Sequence, residues 1–388
     1  MKYDFDQIIE RRGTYSIKYD MPGRGKAADV LPLWVADMDF KAPPCVEEAL
    51  QRHCRHNIYG YSDADDAYFA VLQNWFSRRH NWRIEPEWLI MTPGVVNATH
   101  VALLALTAPQ EGVLIQPPVY HPFASAIAQT GRRPVTNELI YRDGRYQIDF
   151  DDFEQKILEQ DVKIFILCNP HNPVGRVWTR EELSLMGDIC LRHGVIVIAD
   201  EIHQDIIYAG HKHLVFAGLD SRYRDITVTC TAPSKTFNLA GLALSNIFIS
   251  DSVLREKFVR EYDRLGLGHV NVLGIVACRA AYERGEEWLE ELLAYLAGNM
   301  SFIAEFLAER LPQIKLIQPQ GTYLAWLDFR ALGLDADEVD ALISEKARLW
   351  LNRGEIFGAG GVGFQRLNAG CPRALLQTAM ERLASALS

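Results

Sequence analysis

The middle of the chain alternates between continuous apolar runs and amphipathic segments. The apolar run Val195–Ala199 is typical of a strand that is buried on both faces, and the segment Arg180–His193 before it has the pattern of a helix. Similar runs predict further strands at residues 112–116, 133–139, 163–168, 226–231 and 244–249. Because helical crossovers join parallel strands, this part of the chain predicts an open α/β domain with a mostly parallel sheet.

The pattern on either side of this region predicts a second, smaller domain. After Trp288 it indicates a long helix to about residue 310, strands at residues 323–329 and 363–367, and a closing helix from Arg373. Within the first half it predicts a short strand at residues 88–91 and helices at residues 42–56, 64–80, 95–107, 120–130 and 151–160. We therefore expect a large domain at residues 47–287 and a small α+β domain formed by residues 1–46 and 288–388.

Charge and hydropathy narrow the class of protein. The 388 residues carry a net charge of -10, and the basic residues are scattered, so we expect no nucleic-acid partner. The first residues lack the apolar core of a signal peptide, and no stretch is apolar enough to span a bilayer. These features favour a cytoplasmic protein with no membrane association.

The cysteines and histidines do not form a metal-binding pattern. No Cys-x-x-Cys pair occurs among the seven cysteines, which we expect to be buried, reduced thiols. The spaced pairs His53 and His56, and His211 and His213, lack carboxylate or thiol partners in register. We expect these histidines to be solvated and the protein to hold no metal.

Three polar motifs follow predicted strands and suggest one site. They are NPHNPVG at residues 169–175, DEIH at residues 200–203 and SKTFN at residues 234–238. The carboxyl ends of parallel strands share one edge of a sheet, where ligands of open α/β domains bind. Lys235 can hold an aldehyde as a Schiff base, Asp200 can keep a pyridine nitrogen protonated, and Asn172 can hydrogen-bond a phenolic oxygen. Together they predict a pyridoxal phosphate site.

The order of these motifs resembles the fold type I family of pyridoxal phosphate enzymes, which have the aminotransferase fold. Within that family, further motifs are similar to those of the MalY/PatB-type cystathionine β-lyases, and the match runs nearly end to end. These motifs are WVADMDF at residues 34–40, YGY at 59–61, PVY at 118–120, GTYLAW at 321–326 and RLNAGCPR at 366–373.

The resemblance implies a role for each matching residue. Lys235 would bind the cofactor and act as the catalytic base, Asp200 would pair with the ring nitrogen, and Arg366 would bind the α-carboxylate of the substrate. The remaining cofactor contacts would come from Asn172, from Tyr120 stacked on the ring, and from the phosphate-binding candidates Gly94, Val95, Val96, Ser234, Thr231 and Tyr61. Tyr61 would reach the phosphate from the neighbouring subunit of a homodimer, so the active site would be shared between subunits.

Two positions depart from the wider aminotransferase pattern. His203 stands where many relatives have a tyrosine near the phenolic oxygen, and it is therefore a candidate cofactor contact. Ala243 stands where many relatives have a phosphate-binding arginine, so the amides, hydroxyls and Tyr61 would carry more of the phosphate charge.

The resemblance implies α,β-elimination on an amino acid with sulfur at its β-carbon. The expected products from L-cystathionine or a related cysteine S-conjugate are a thiol, pyruvate and ammonia. Two alternatives stay open at the level of the sequence. The same core motifs serve aminotransferases of class I/II, and the same fold could serve a regulatory protein that binds a partner.

Overall fold

A computed structural model describes residues 2–21 and 29–388 of the chain. Residue 1 and residues 22–28, which belong to the predicted N-terminal part of the small domain, lie outside the described residues. The α-helices are α1 (Ile17–Asp20), α2 (Pro44–His56), α3 (Asp66–His80), α4 (Val95–Leu106), α5 (Pro122–Gln129), α6 (Phe150–Glu159), α7 (Arg180–His193), α8 (Ser221–Arg224), α9 (Pro233–Thr236), α10 (Ser252–Arg264), α11 (Val272–Arg284), α12 (Glu286–Arg310), α13 (Ala336–Ala341) and α14 (Arg373–Leu387).

The β-strands form one large sheet and three smaller ones. They are β1 (Leu31–Pro32), β2 (Leu89–Thr92), β3 (Gly112–Ile115), β4 (Arg133–Thr136), β5 (Ile140–Arg142), β6 (Arg145–Gln147), β7 (Val162–Cys168), β8 (Ile196–Asp200), β9 (Thr227–Thr231), β10 (Ser245–Phe248), β11 (Lys315–Ile317), β12 (Leu324–Asp328), β13 (Leu349–Trp350), β14 (Asn352–Arg353) and β15 (Phe364–Asn368).

The large sheet has seven strands in the order β2-β10-β9-β8-β7-β3-β4. Strand β10 pairs antiparallel with both β2 and β9, and the four other neighbouring pairs are parallel, so the prediction of a mostly parallel sheet is confirmed. The register pairs Cys168 with Asp200 and Asp200 with Cys230. The carboxyl ends of β7, β8 and β9 therefore lie level at one edge of the sheet, and the chain after each of them enters the same region.

The crossover between β7 and β8 shows how local sequence produces this arrangement. Thr179 and Glu182 form a capping box that begins α7, which satisfies backbone donors in the first turn. The helix ends at Gly194, whose φ of 66° lies in the left-handed region that glycine adopts without steric cost. The chain then enters β8, where four of the five residues are buried.

A second, antiparallel sheet has the order β11-β12-β15-β14. Its core includes Leu327 and Leu367 and is shared with residues of the long helix α12 and of α14. Strand β1 pairs in parallel with β13, which brings the N-terminal segment onto this part of the chain. Helix α12 begins at Glu286, just before the predicted boundary at residues 287–288. The division into residues 47–287 and 1–46 with 288–388 stays a prediction.

The cysteines depart in one respect from the expectation. All seven are unpaired, but Cys54 is exposed and Cys45 is half-buried, so only five of them are buried. Cys54 lies in the last turn of α2, a helix in which only Val46 is buried. Within residues 2–21 and 29–388, no helix combines the length and the apolar character that crossing a membrane requires.

Candidate active site

Lys235 lies on the single turn α9, just after the end of β9. Its Nζ donates a hydrogen bond of 2.7 Å to the carbonyl of Ala36. Burial lowers the pKa of this amine to about 8; Asp37 and Asp200 oppose the shift, and Arg366 adds to it. The neutral fraction of Lys235, which is the nucleophilic and basic form, is therefore far larger near neutral pH than that of an ordinary lysine.

Asp200 is the last residue of β8 and is buried. One of its carboxylate oxygens accepts a hydrogen bond of 3.1 Å from the amide of Ile202. Burial raises the pKa of Asp200 to about 7, although the Ile202 amide and Lys235 act in the opposite direction. A cationic ring nitrogen placed beside this carboxylate would favour its ionised form, so the site is suited to a protonated pyridine.

Arg366 lies on β15 and reaches the large sheet through Asn172. Its Nη1 donates to Asn172 Oδ1 at 3.0 Å, and its Nη2 donates to the Trp34 carbonyl at 2.9 Å and to Asn352 Oδ1 at 2.6 Å. Its buried Nε has no hydrogen-bond partner among the described residues. Burial lowers the pKa of this guanidinium to about 10, which leaves it charged at neutral pH. A buried cation with a spare donor is well suited to a substrate carboxylate.

A cavity of about 190 Å³ is lined by Lys235 and Asp200. Arg366 is not part of its lining and contacts it through Asn172, which is. The lining includes most of the residues that the sequence predicts for the cofactor: Gly94, Val95, Val96, Tyr120, Asn172, Asp200, His203, Ser234 and Lys235. Gly94 is the N-cap of the twelve-residue helix α4, so the first amides of that helix face the end of the cavity. Backbone amides at a helix N-terminus favour an anion such as a phosphate.

Two predicted phosphate contacts are not brought to this cavity in the single chain. The Thr231 hydroxyl is buried and donates to the Asn246 carbonyl at 2.9 Å, so the sheet uses the group that was expected to face the phosphate. Tyr61 is 93% exposed and its ring lies 5.0 Å from that of His269. The geometry argues against the role predicted for Thr231, and the role of Tyr61 stays a prediction about a dimer.

His203 is buried against the cavity, and its ring lies 5.7 Å from that of Tyr323 in an edge-to-face arrangement. Its Nδ1 has no hydrogen-bond partner within the part of the chain that the structure describes. Burial, with Lys235 and Arg366 nearby, holds the pKa of His203 well below its usual range. A neutral imidazole with a spare ring nitrogen is compatible with the predicted contact to a phenolic oxygen.

The segment at residues 34–40 covers the cavity and was not expected to contact the lysine. Its Ala36 carbonyl accepts from Lys235 Nζ and, at 2.8 Å, from the Tyr323 hydroxyl. Asn238, three residues after the lysine, donates to the carbonyls of Met38 and Phe40 at 2.8 and 2.9 Å. These partners lie about two hundred residues apart in sequence, and no local pattern signals the contact.

Three other residues of the site were missed for a similar reason. Ser245 lines the cavity from β10, and Asn352 orients Arg366 from β14. Arg11 forms ion pairs with Asp37 and Asp39 of the covering segment, at 2.8 and 2.6 Å. Each of these residues is an ordinary polar position in the sequence, and only the tertiary fold assigns it a contact.

The histidines also differ from the expectation. His213 is buried rather than solvated, and its Nε2 lies 3.3 Å from Glu201 Oε2. His213 lies on the loop after β8, where the buried Glu201 and the ring of His80, 5.6 Å away, pack against it. No group of three or more His, Cys, Asp and Glu side chains that could hold a metal ion is found among the residues that the structure describes.

The residues around the cavity fit pyridoxal phosphate group by group. An amine of lowered pKa for the aldehyde, a buried carboxylate for the ring nitrogen, an amide for the phenolic oxygen and helix N-terminal amides for the phosphate all line the same space. A bound ring with a cationic nitrogen would favour the ionised form of Asp200, whose pKa burial raises. An oxygen substituent on that ring would give a hydrogen-bond partner to His203 Nδ1, which has none among the described residues.

Comparison with known proteins identifies the family. The family model for aminotransferase class I and II matches residues 28–383. The chain belongs to this family. Cystathionine beta-lyase PatB of Bacillus subtilis is 46% identical over 386 residues, which are 99% of this chain and 100% of that protein.

Solved structures of this family share the whole architecture. Cystalysin from Treponema denticola, whose structure contains a pyridoxal 5'-phosphate cofactor, has a TM-score of 0.97 and 38% identity, with 100% of this chain and 99% of that chain covered. The pyridoxal phosphate-bound C-S lyase from Staphylococcus hominis has a TM-score of 0.93 and 33% identity, with 99% and 98% covered. The predicted aminotransferase-like fold and the resemblance to cystathionine β-lyases are both confirmed.

Proposed function

We propose that the protein is a pyridoxal phosphate-dependent carbon–sulfur β-lyase. Its substrate would be L-cystathionine or a related cysteine S-conjugate, and its products a thiol, pyruvate and ammonia. The observation that carries this proposal is the 46% identity, from end to end, to a cystathionine β-lyase. It is supported by the convergence of Lys235, Asp200 and Arg366 on one region.

The residues of the cavity would hold the cofactor in one orientation. Lys235 would bind its aldehyde carbon, Asp200 its ring nitrogen and Asn172 its phenolic oxygen, while Tyr120 would lie against the ring. The amides at the start of α4 and the hydroxyl of Ser234 would bind the phosphate. Bound in this way, pyridoxal phosphate supplies an electron sink for the pair left at the substrate's Cα.

Proton transfer at Cα would fall to Lys235. Once its Nζ is free, the lowered pKa of Lys235 would give it a much larger neutral fraction at neutral pH than an ordinary lysine has, and the neutral amine can accept the Cα proton. Arg366 would hold the α-carboxylate, which fixes the direction of the Cα–H bond relative to Nζ. Asp200 would keep the ring nitrogen protonated so that it can accept the electron pair.

Elimination then breaks the bond between the β-carbon and sulfur. The electron pair from Cα forms a carbon–carbon double bond, and the sulfur leaves with the pair of the broken bond as a thiolate. The remaining three-carbon unit takes up one water molecule and gives pyruvate and ammonia. The net reaction of cystathionine with water gives homocysteine, pyruvate and ammonia, and needs no oxidant and no second substrate.

Transamination is the second candidate, because the family that matches the chain includes aminotransferases. The cofactor-loaded protein should be incubated with cystathionine, with other cysteine S-conjugates and with methionine, which lacks sulfur at its β-carbon. Pyruvate and thiol formed from the S-conjugates alone, without a keto acid, would support the lyase. Turnover of methionine that requires a keto acid would instead support the aminotransferase. Lys235→Ala serves as the inactive control.

We also propose that the active enzyme is a homodimer with shared active sites. The loop before α3 exposes Ile58, Tyr59 and Tyr61 by 66%, 54% and 93%, an apolar surface suited to a second copy of the chain. In that dimer, Tyr61 of the partner subunit would bind the phosphate. A cytoplasmic location is proposed as well, because seven unpaired thiols persist best in a reducing compartment.

Subunit complementation tests the shared site. Tyr61→Phe should weaken binding of the cofactor, and Lys235→Ala should be inactive. Co-expression of the two variants should form mixed dimers in which one site has both Lys235 and Tyr61, so cofactor affinity and activity should return at that site. If Tyr61→Phe binds the cofactor normally, or if the mixture stays at the level of the separate variants, the shared site is wrong.

A further inference from the structure

A buried carboxylate contacts the turn that carries Lys235 from the side away from the cavity. Thr236, the next residue, is fully buried, and its hydroxyl donates to Asp205 Oδ2 at 2.8 Å. Asp205 is 2% exposed and belongs to the loop that follows Asp200, the last residue of β8. Asp205 is absent from the lining of the cofactor cavity, so it would act on the lysine only through Thr236.

Helix α3 holds the other oxygen of this carboxylate. Trp75 Nε1 donates to Asp205 Oδ1 at 3.1 Å, and His80 Nε2 lies 2.8 Å from the same atom. Arg79 Nε lies 3.6 Å from it. Burial alone would raise the pKa of Asp205. The hydrogen bond and charge of His80, together with Arg79 and Thr236, have a larger opposite effect, so the pKa is lowered. Asp205 is therefore an ionised, well-satisfied acceptor.

The turn that carries Lys235 needs such support. Helix α9 has four residues, and a single helical turn has little stability of its own in water. Phe237, the residue after α9, adds apolar packing, since its ring meets that of Trp75 edge to face at 5.6 Å, and Asn238 binds the segment at residues 34–40. Apolar packing of this kind is non-directional, whereas the hydrogen bond from Thr236 to an ionised carboxylate is directional and charge-assisted.

We propose that Asp205 is a positioning residue that fixes Lys235 through the Thr236 hydroxyl. The fixed turn holds Nζ where it meets the aldehyde of the cofactor and, later, the Cα proton of the substrate. A misplacement of about 1 Å in such a group is enough to cost a large factor in rate. The part of the proposal that concerns the Cα proton rests on the proposed function, whereas capture of the cofactor does not.

The first test measures capture of pyridoxal phosphate by the apoprotein, followed by absorbance without any amino-acid substrate. Thr236→Val keeps the size of the side chain and removes its hydroxyl, and we expect at least tenfold slower capture. Thr236→Ser keeps the hydroxyl and should capture within about threefold of the native protein, because it can still form the charge-assisted hydrogen bond to Asp205. Thr227→Val is the matched control, because it deletes a buried hydroxyl bond, to the Tyr223 carbonyl, at the far end of β9.

The outcomes separate positioning from general stability. If Thr236→Val captures the cofactor at the native rate, or if Thr236→Ser is as slow as Thr236→Val, the proposal is overturned. If Thr236→Val does not fold, as judged by circular dichroism, Thr236→Cys replaces it, since a thiol is a much weaker donor of similar size. The Cys variant should then capture several-fold more slowly than the Ser variant, and equal rates would overturn the proposal.

Steady-state kinetics provide the second readout. In the lyase assay, Thr236→Val should lower kcat and leave KM nearly unchanged, since Arg366 rather than Thr236 binds the substrate. A change confined to KM would contradict the proposed positioning of the base. If neither the native protein nor any variant shows lyase activity, the proposed function fails, but the capture rates still decide the role of Asp205.

Discussion

The pKa of Lys235 predicts how the capture of pyridoxal phosphate by the apoprotein depends on pH. Burial lowers this pKa to about 8 from the ordinary value of 10.5. The difference corresponds to about 3 kcal/mol in favour of the neutral amine. Only the neutral amine attacks an aldehyde, so the capture rate should rise tenfold per pH unit below pH 8 and level off above it.

The size of the effect follows from the fraction of neutral amine. At pH 8 about half of Lys235 is neutral, whereas an unperturbed lysine is neutral to roughly 0.3%. At equal intrinsic reactivity, the protein should therefore capture the aldehyde about 150-fold faster than a lysine in a flexible peptide. Burial in the cavity, which disfavours the charged form, is the physical source of this advantage.

Stopped-flow absorbance between pH 6 and pH 10.5 measures the capture rate. A lysine-containing peptide measured at each pH corrects for titration of pyridoxal phosphate itself, and Lys235→Ala gives the background from other lysines. The ratio of protein to peptide rates should be largest below pH 8 and should shrink above it. A midpoint near pH 10, or a ratio that does not change with pH, would refute the reasoning.

Three substitutions test other parts of the site. Asp200→Asn should lower kcat at least tenfold, because the ring nitrogen loses a charge-assisted partner of about 2 kcal/mol, and an unchanged kcat would contradict the assignment. Arg366→Lys should lower kcat/KM for cystathionine at least tenfold while the absorbance of the bound cofactor stays the same, since lysine lacks the planar fork; loss of cofactor binding instead would point to a structural role. Asn238→Ala removes hydrogen bonds to Met38 and Phe40 and should lower the free energy of unfolding of the apoprotein, measured in urea, by about 2 kcal/mol. An unchanged midpoint of urea unfolding would mean that other contacts hold the covering segment.

Much of the fold and of the cofactor-facing residues could be predicted from the sequence. Strands buried on both faces give continuous apolar runs, and polar residues that interrupt the pattern at their ends, such as Asp200 and Lys235, mark the functional edge. The amphipathic helix α7 was predicted with its observed bounds because its caps and its periodicity agree. The bounds of such elements can be predicted from their own residues.

Other features depend on tertiary contacts and left no local signal. Helix α11 was not predicted, because seven of its thirteen residues are buried and a helix buried on most sides lacks the usual periodicity. Strands β5 and β6 have three residues each, which is too short for a clear alternation of apolar and polar residues. The contact of Thr236 with Asp205, and the burial of the Thr231 hydroxyl in the sheet, depend on which side of the backbone faces the cavity.

The central claim is that the protein eliminates sulfur from a cysteine S-conjugate without a second substrate. The most direct measurement is the stoichiometry of products from purified, cofactor-loaded protein with L-cystathionine as the sole amino acid and no keto acid. Homocysteine, pyruvate and ammonia should form in equal amounts over many turnovers, and Lys235→Ala should form none. Absence of all three products, or conversion that starts only when a keto acid is added and yields no free thiol, would contradict the claim.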